Sequence, residues 1–235
     1  MSEISVRSEH ATRLSELIER YCTPEWKQLM RERNVQLTFR KGQHVFQQGQ
    51  VAEHMFMIES GGVKVSATYE KSRDRIVRIA GPGEVVGYRA LGDHMVYTAT
   101  VTALMDTVVN SIPLSLFTNV LKANNAFCYH FLLFFANELR ALDQQLRDHL
   151  EMSVLQRVAK ALKLNLETFG TDAKDPKLLS FTLSRTDIAR LADTSYESVI
   201  RSLTELQRAK VIALAGKQIR ILKRREMERM AAPFR

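Results

Sequence analysis

Leu183-Ser-Arg-Thr-Asp-Ile-Ala-Arg-Leu-Ala-Asp-Thr-Ser-Tyr-Glu-Ser-Val-Ile-Arg-Ser-Leu203 divides at a polar break into two short helical patterns. Ser184 followed three residues later by Asp187 has the spacing of a capping box, and Ile188, Ala189 and Leu191 give a first helix over Thr186–Ala192 its buried side. Asp193-Thr194 interrupts the pattern. Ser195 then suits the N-cap of a second helix, Tyr196–Ala209, whose Val199, Leu203 and Leu206 form an apolar stripe. A hairpin over Val211–Leu222, turned at Ala215-Gly216, follows directly. Two helices joined by a tight turn and followed by a hairpin describe a winged helix-turn-helix.

The start of the second helix carries Tyr196, Glu197, Ser198 and Arg201. Glu197 and Arg201 are four residues apart and share a face near the helix N-terminus, the end that such motifs insert into the major groove. An arginine there can pair with guanine O6 and N7, and a glutamate can accept from the amino group of cytosine. Read without context, the same pair is an ordinary intrahelical ion pair. Charge supplies context: residues 1–152 hold 17 Lys+Arg against 17 Asp+Glu, and residues 153–235 hold 17 against 9. A neutral body with a basic end fits one domain that meets phosphates and another with a different task. Lys217, Arg220, Lys223, Arg224 and Arg225, in and after the hairpin, weigh against the alternative of a ligand-binding module that uses its helix-turn-helix for protein contacts.

Upstream, Val35–Phe39, His44–Gln47, Met55–Ile58, Val63–Ala67, Ile76–Ile79 and Tyr97–Ala103 read as short strands separated by glycine-bearing turns, which predicts a small antiparallel sandwich or barrel. One or two short helices precede it over Ala11–Arg33. Helical period begins at Ile112-Pro113, and a long helix is expected over Ser115–Leu150. There Leu132, Phe135, Leu139, Leu142 and Leu146 step alternately by three and four, the a/d spacing of a helix that packs along a second copy of itself. The expected fold class is α+β, divided into residues 1–114, a dimerisation helix over 115–152, and a DNA-binding domain over 153–235.

No run of about 18 uninterrupted apolar residues is present, and Met1–His10 has no apolar core of a signal peptide, so a cytoplasmic protein with no membrane partner is expected. Cys22 and Cys128 form no ligand-spaced cluster, and no metal site is expected. Neither a paired nucleophile and base nor a glycine-rich phosphate loop before a helix appears, so no catalytic residues are assigned.

From Leu183 to Ile221 the sequence resembles the DNA-binding domain of the cyclic-AMP receptor and fumarate-nitrate regulator (Crp/Fnr) family. Phe39-Arg-Lys-Gly-Gln-His-Val-Phe-Gln-Gln-Gly49, Met57-Ile-Glu-Ser-Gly-Gly-Val-Lys-Val65 and Gly81-Pro-Gly-Glu-Val-Val-Gly87 extend the resemblance to the cyclic-nucleotide-binding β-roll, a jelly roll. It covers nearly the whole chain. The resemblance implies base contacts from Glu197 and Arg201, and phosphate contacts from Arg185, Ser195, Ser198 and Lys217. It also implies a homodimer on a palindromic operator in double-stranded DNA, with RNA polymerase as a further partner if the protein activates transcription. The family's recognition helix often opens with arginine, where this chain has Tyr196.

In the effector pocket the chain departs from the family's cyclic-AMP binders. They carry a glutamate after the glycine that matches Gly87 and an Arg-Ser or Arg-Thr pair downstream, whereas this chain has Tyr88-Arg89 and Tyr97-Thr98. Their dimer helix presents Thr-Ser to the base, and the matching residues here are Leu142-Asp143. Cyclic AMP is therefore not expected as the effector, since its phosphate would lack a bidentate donor. An iron–sulfur cluster requires four cysteine thiolates and the chain has two cysteines. Haem stays open, with His10, His44, His54, His94, His130 and His149 as possible axial ligands, so a regulator that senses haem or another small ligand is the alternative within the family.

Overall fold

The computed structural model describes residues 13–68 and 74–232. Two short helices, α1 (Leu14–Tyr21) and α2 (Pro24–Glu32), come first, the second with proline in its opening turn, where a missing N–H costs nothing. Eight strands follow: β1 (Val35–Phe39), β2 (His44–Phe46), β3 (His54–Ser60), β4 (Val63–Ala67), β5 (Arg75–Ala80), β6 (Val85–Val86), β7 (Thr100–Ala103) and β8 (Thr107–Pro113). A single 3-10 turn, Tyr88–Ala90, lies between β6 and β7. Helices α3 (Leu114–Ala123), α4 (Asn125–Glu151) and α5 (Val154–Phe169) precede α6 (Arg185–Leu191) and α7 (Tyr196–Arg208). A hairpin of β9 (Ile212–Ala215) and β10 (Gln218–Ile221) leads to α8 (Arg224–Met230).

One sheet has the order β1-β8-β3-β6 with every neighbouring pair antiparallel, Val35 standing opposite Ser111 and Met55 opposite Ile112. β2 pairs antiparallel with β7, β4 lies beside β5, and β9 and β10 form a two-stranded ribbon. The chain packs as two compact units, Met1–Val63 with Ala80–Leu142, and Lys64–Ile79 with Asp143–Arg235. In the first, Met55, Ile58, Val101, Val109, Phe117 and Phe127 are buried. In the second, Val158, Leu162, Leu183, Ile188, Val199, Leu203, Leu206, Ile212 and Ile219 form the core. Each such side chain contributes roughly 1.5–3 kcal/mol on burial.

Two sequence expectations are corrected. Ile112 and Pro113 still belong to strand β8, with Ile112 paired to Met55, and Pro113 is the N-cap of α3 and not a first-turn residue. The expected single helix over 115–150 is broken at Asn124, whose backbone is extended (φ −125°, ψ 91°). The Asn124 Oδ1 accepts from the Phe127 N–H at 3.0 Å, and its Nδ2 donates to the Tyr21 carbonyl at 2.9 Å. One asparagine thus caps α4 and ties its start to α1, a role that apolar periodicity does not reveal.

Candidate nucleic-acid interface and effector pocket

Ser184 opens α6: its Oγ accepts from the Asp187 N–H at 3.0 Å. The reciprocal half of the capping box is absent. The Asp187 carboxylate instead accepts from the Ser184 hydroxyl at 2.7 Å and pairs with Lys64 at 2.6 Å, within the same unit. Ser195 caps α7, its Oγ accepting from the Ser198 N–H at 3.1 Å. The Ser195 hydroxyl also donates to Ser198 Oγ at 3.0 Å, which in turn accepts from Arg201 Nη2 at 3.1 Å. This chain of bonds orients the exposed Arg201 guanidinium from its own helix, next to exposed Glu197.

Beneath α7, buried Asn165 of α5 donates to the Phe181 carbonyl at 2.7 Å and accepts from the Leu183 N–H at 3.0 Å, fixing the approach to α6. Arg157 donates to Met152 O at 2.9 Å and to Ala192 O at 2.8 Å, joining the start of α5 to the turn between α6 and α7. In that turn Asp193 has φ +48°. Gly216, at φ +58° with open space around it, makes the tip of the β9–β10 wing. Arg185 donates to the carbonyls of Gly216 and Lys217 at 3.3 and 3.2 Å, so it holds the wing tip to α6, and burial lowers its pKa. Lys217 itself is exposed.

The surroundings of Gly87 are not built as a polar cradle. Gly87, at φ +92°, turns the chain into the 3-10 segment, and a Cβ there would lie 3.2 Å from the His54 carbonyl oxygen and Met55 Cα. Tyr88 is buried, its ring set edge-on to Phe134 and Phe135. Its hydroxyl donates to Glu138 Oε2 at 2.7 Å, and Arg89 Nη2 meets the same oxygen at 2.6 Å. Burial opposes the charge on Arg89, but the hydrogen bond and field of Glu138 outweigh it, and its pKa is raised. Tyr97 is buried, stacks on Phe46 at 3.8 Å between ring centroids and donates to the His54 carbonyl at 2.6 Å, and burial pushes its phenol up. Thr98, Leu142 and Asp143 are exposed.

The family model for a cyclic nucleotide-binding domain matches residues 36–124, and that for a Crp-like helix-turn-helix domain matches residues 156–230. The chain belongs to the Crp/Fnr family. A CRP-like cAMP-activated global transcriptional regulator of Mycobacterium tuberculosis is 25% identical over 193 residues, 82% of this chain and 86% of the relative. The fumarate and nitrate reduction regulatory protein of Vibrio cholerae is 25% identical over 193 residues, 81% and 76% of the two chains. Among solved structures, FixK2 from Bradyrhizobium japonicum matches with a TM-score of 0.75 at 20% identity, over 86% of this chain and 99% of FixK2. A c-di-GMP-responsive global regulator of Xanthomonas campestris matches with a TM-score of 0.65 at 18% identity, over 85% and 99%. This Crp/Fnr protein is thus a DNA-binding transcriptional regulator with a helix-turn-helix.

On α4 of the Crp/Fnr chain, Leu132, Leu139, Leu142 and Leu146 are exposed. Phe135 is only part-exposed and packs edge-on against Phe131 at 4.9 Å. His44 Nδ1 lies 3.0 Å from Thr102 Oγ1, and His130 stacks on Tyr21 at 3.5 Å. His54 sits on β3 and His94 is exposed, while His10 lies outside the described residues. Cys22 is buried, which pushes its thiol up to about 11, and Cys128 is exposed. Among the described residues no group of three or more His, Cys, Asp or Glu could hold a metal ion, and no helix is long and apolar enough to cross a membrane.

Sequence reasoning missed Glu138 and Ile200. Glu138 is separated by 49 residues from the arginine it binds, and nothing local signals that pairing. Ile200 is 40% exposed on α7, outside the buried stripe, and that misplacement was visible in the sequence.

Proposed function

We propose that this regulator is a cytoplasmic homodimer that reads a palindromic operator through α7, with an effector pocket no longer made for cyclic AMP. Glu197 accepts from a cytosine amino group, and Arg201 pairs with O6 and N7 of guanine. Lys217, Arg185, Ser195 and Ser198 meet phosphates; Arg185 also holds the wing tip, and Ser195 caps the helix start. The reading rests above all on α7: a helix capped by Ser195 whose first turns present Arg201, oriented by Ser198, beside Glu197. RNA polymerase is the further partner if the protein activates. Residues 1–114 carry the effector fold, 115–152 the dimer contact and 153–235 the DNA contacts.

In the pocket, the positions of the ribose-binding glutamate and phosphate-binding arginine hold Tyr88 and Tyr97, and Arg89 is already neutralised by Glu138. Two cysteines do not fit an iron–sulfur cluster, which needs four thiolates.

Binding-site selection at two salt concentrations tests the reader. Arg201→Ala should cost about 1–3 kcal/mol on the selected site and relax preference at one base pair. Lys217→Ala should weaken binding to all sequences alike and reduce the salt slope by about 0.9 for one lost phosphate contact. An Arg201→Ala variant with wild-type sequence preference would return Glu197 and Arg201 to the status of a surface ion pair.

A further inference from the structure

We propose that Tyr196 and Ile200 form an apolar reading column on α7 that recognises thymine methyl groups in the major groove, beside the charged column of Glu197 and Arg201. The inference rests on the reading of α7 as the helix that enters the groove. Tyr196 is 50% exposed and Ile200 40% exposed. Single exposed apolar residues are ordinary on a protein surface, but these two are one helical turn apart. Among the described residues after α4, the exposed large hydrophobic residues are Tyr196, Ile200 and Leu222, so two of the three stand on this helix.

The inward face of α7 is already supplied by Val199, Ser202, Leu203 and Leu206, all buried. Successive residues turn by about 100°. Tyr196 and Ile200 therefore form a column about 100° round the helix from Glu197 and Arg201, between that pair and the buried face, and both stay exposed there. Across the major-groove edge of the base pairs, the thymine C5-methyl is the one apolar group, and the remaining groups are hydrogen-bond donors and acceptors. An aromatic ring and a branched aliphatic chain placed there desolvate favourably against a methyl, whereas opposite another base they would leave a donor or acceptor unpaired.

Four residues at about 1.5 Å each separate the two side chains by about 6 Å along the helix, and base pairs repeat about every 3.4 Å. The column thus addresses thymines about two base pairs apart, next to the C and G read by the charged column. Tyrosine at position 196, where an arginine would select guanine, shifts this half-site toward A·T pairs.

The test uses the full chain and the operator that wild type selects. Each half-site thymine is replaced in turn by deoxyuridine, which removes the methyl and keeps every hydrogen-bonding group. At one or two positions the replacement should weaken wild-type binding roughly three- to fivefold per half-site, the effect of burying one methyl. A Tyr196→Ser, Ile200→Ser double variant should bind the thymine and deoxyuridine duplexes equally well and relax selection at those positions while keeping the C and G. The deoxyuridine arm needs no variant, so a folding defect cannot obscure it. Unchanged affinity at every position, or a selected half-site without thymine, overturns the proposal. If Arg201→Ala still loses its base preference in that case, the methyl contacts alone are refuted; if it does not, the reading of α7 fails with them.

Discussion

Single residues around Gly87 carry the proposed exclusion of cyclic AMP. A cyclic phosphate approaching Arg89 would have to displace a carboxylate at 2.6 Å from the guanidinium, and would find the Tyr88 ring packed on Phe134 and Phe135. Charge-assisted hydrogen bonds of this kind are about twice as strong as neutral ones, and breaking one leaves Glu138 to be resolvated. Calorimetry with cyclic AMP should therefore show no binding up to millimolar ligand, and operator affinity should be the same with and without it; micromolar affinity would mean that Arg89 leaves Glu138 for phosphate. That Tyr88 and Arg89 follow Gly87 was legible in the sequence alone. Their shared partner was not legible, since Glu138 comes from a helix remote in sequence.

At the scale of elements, local chemistry carried most of the reading. The boundaries of α6, α7 and the wing follow from Ser184, Ser195 and Gly216, residues whose side chains or backbone freedom act within three or four positions. Strand β8 and the break at Asn124 were not legible: β8 is fixed by pairing with β1 and β3, and Asn124 by a bond to Tyr21, 103 residues earlier. The junction of α4 and α5 is likewise held by a partner across elements. Asp148, buried near the end of α4, accepts from Lys160 of α5 at 2.5 Å and from Gln144 at 2.6 Å. Burial raises its pKa, but the hydrogen bonds from Lys160 and Gln144 outweigh it, and the net shift is downward. A carboxyl depressed in the folded state adds stability that is fully present above its unfolded value and is lost as pH falls through the folded one. Chemical denaturation should show Asp148→Asn destabilised relative to wild type at neutral pH, with the gap closing as pH falls below the ordinary aspartate range. A gap independent of pH would assign the loss to packing and not to the charge.

Over the whole molecule, the proposed homodimer would join the basic C-terminal third and the leucine row on α4 in one requirement, that two recognition helices be presented about one turn of DNA apart, roughly 34 Å. Leu132, Leu139 and Leu146 recur every seven residues and are 65%, 61% and 63% exposed, a spacing and exposure suited to a parallel helix pair. Phe135, in phase with them by sequence, is held by Phe131 and Tyr88 in its own unit, so the seam read from spacing divides into residues that face outward and one that faces the core. The two classes should separate under substitution. Leu139→Glu places a charge in the proposed seam and should yield a folded monomer at micromolar concentration by sedimentation. Its operator affinity should fall by roughly 10²–10⁴, because the second half-site no longer binds at high effective concentration, while weak binding to unrelated DNA persists. Phe135→Ala should instead lower thermal stability, by about 3–5 kcal/mol at most given its partial exposure, and leave the dimer intact. A Leu139→Glu protein that sediments as a dimer and binds its operator as wild type would move the self-association surface away from α4, since a buried unpaired carboxylate at the seam could not be accommodated.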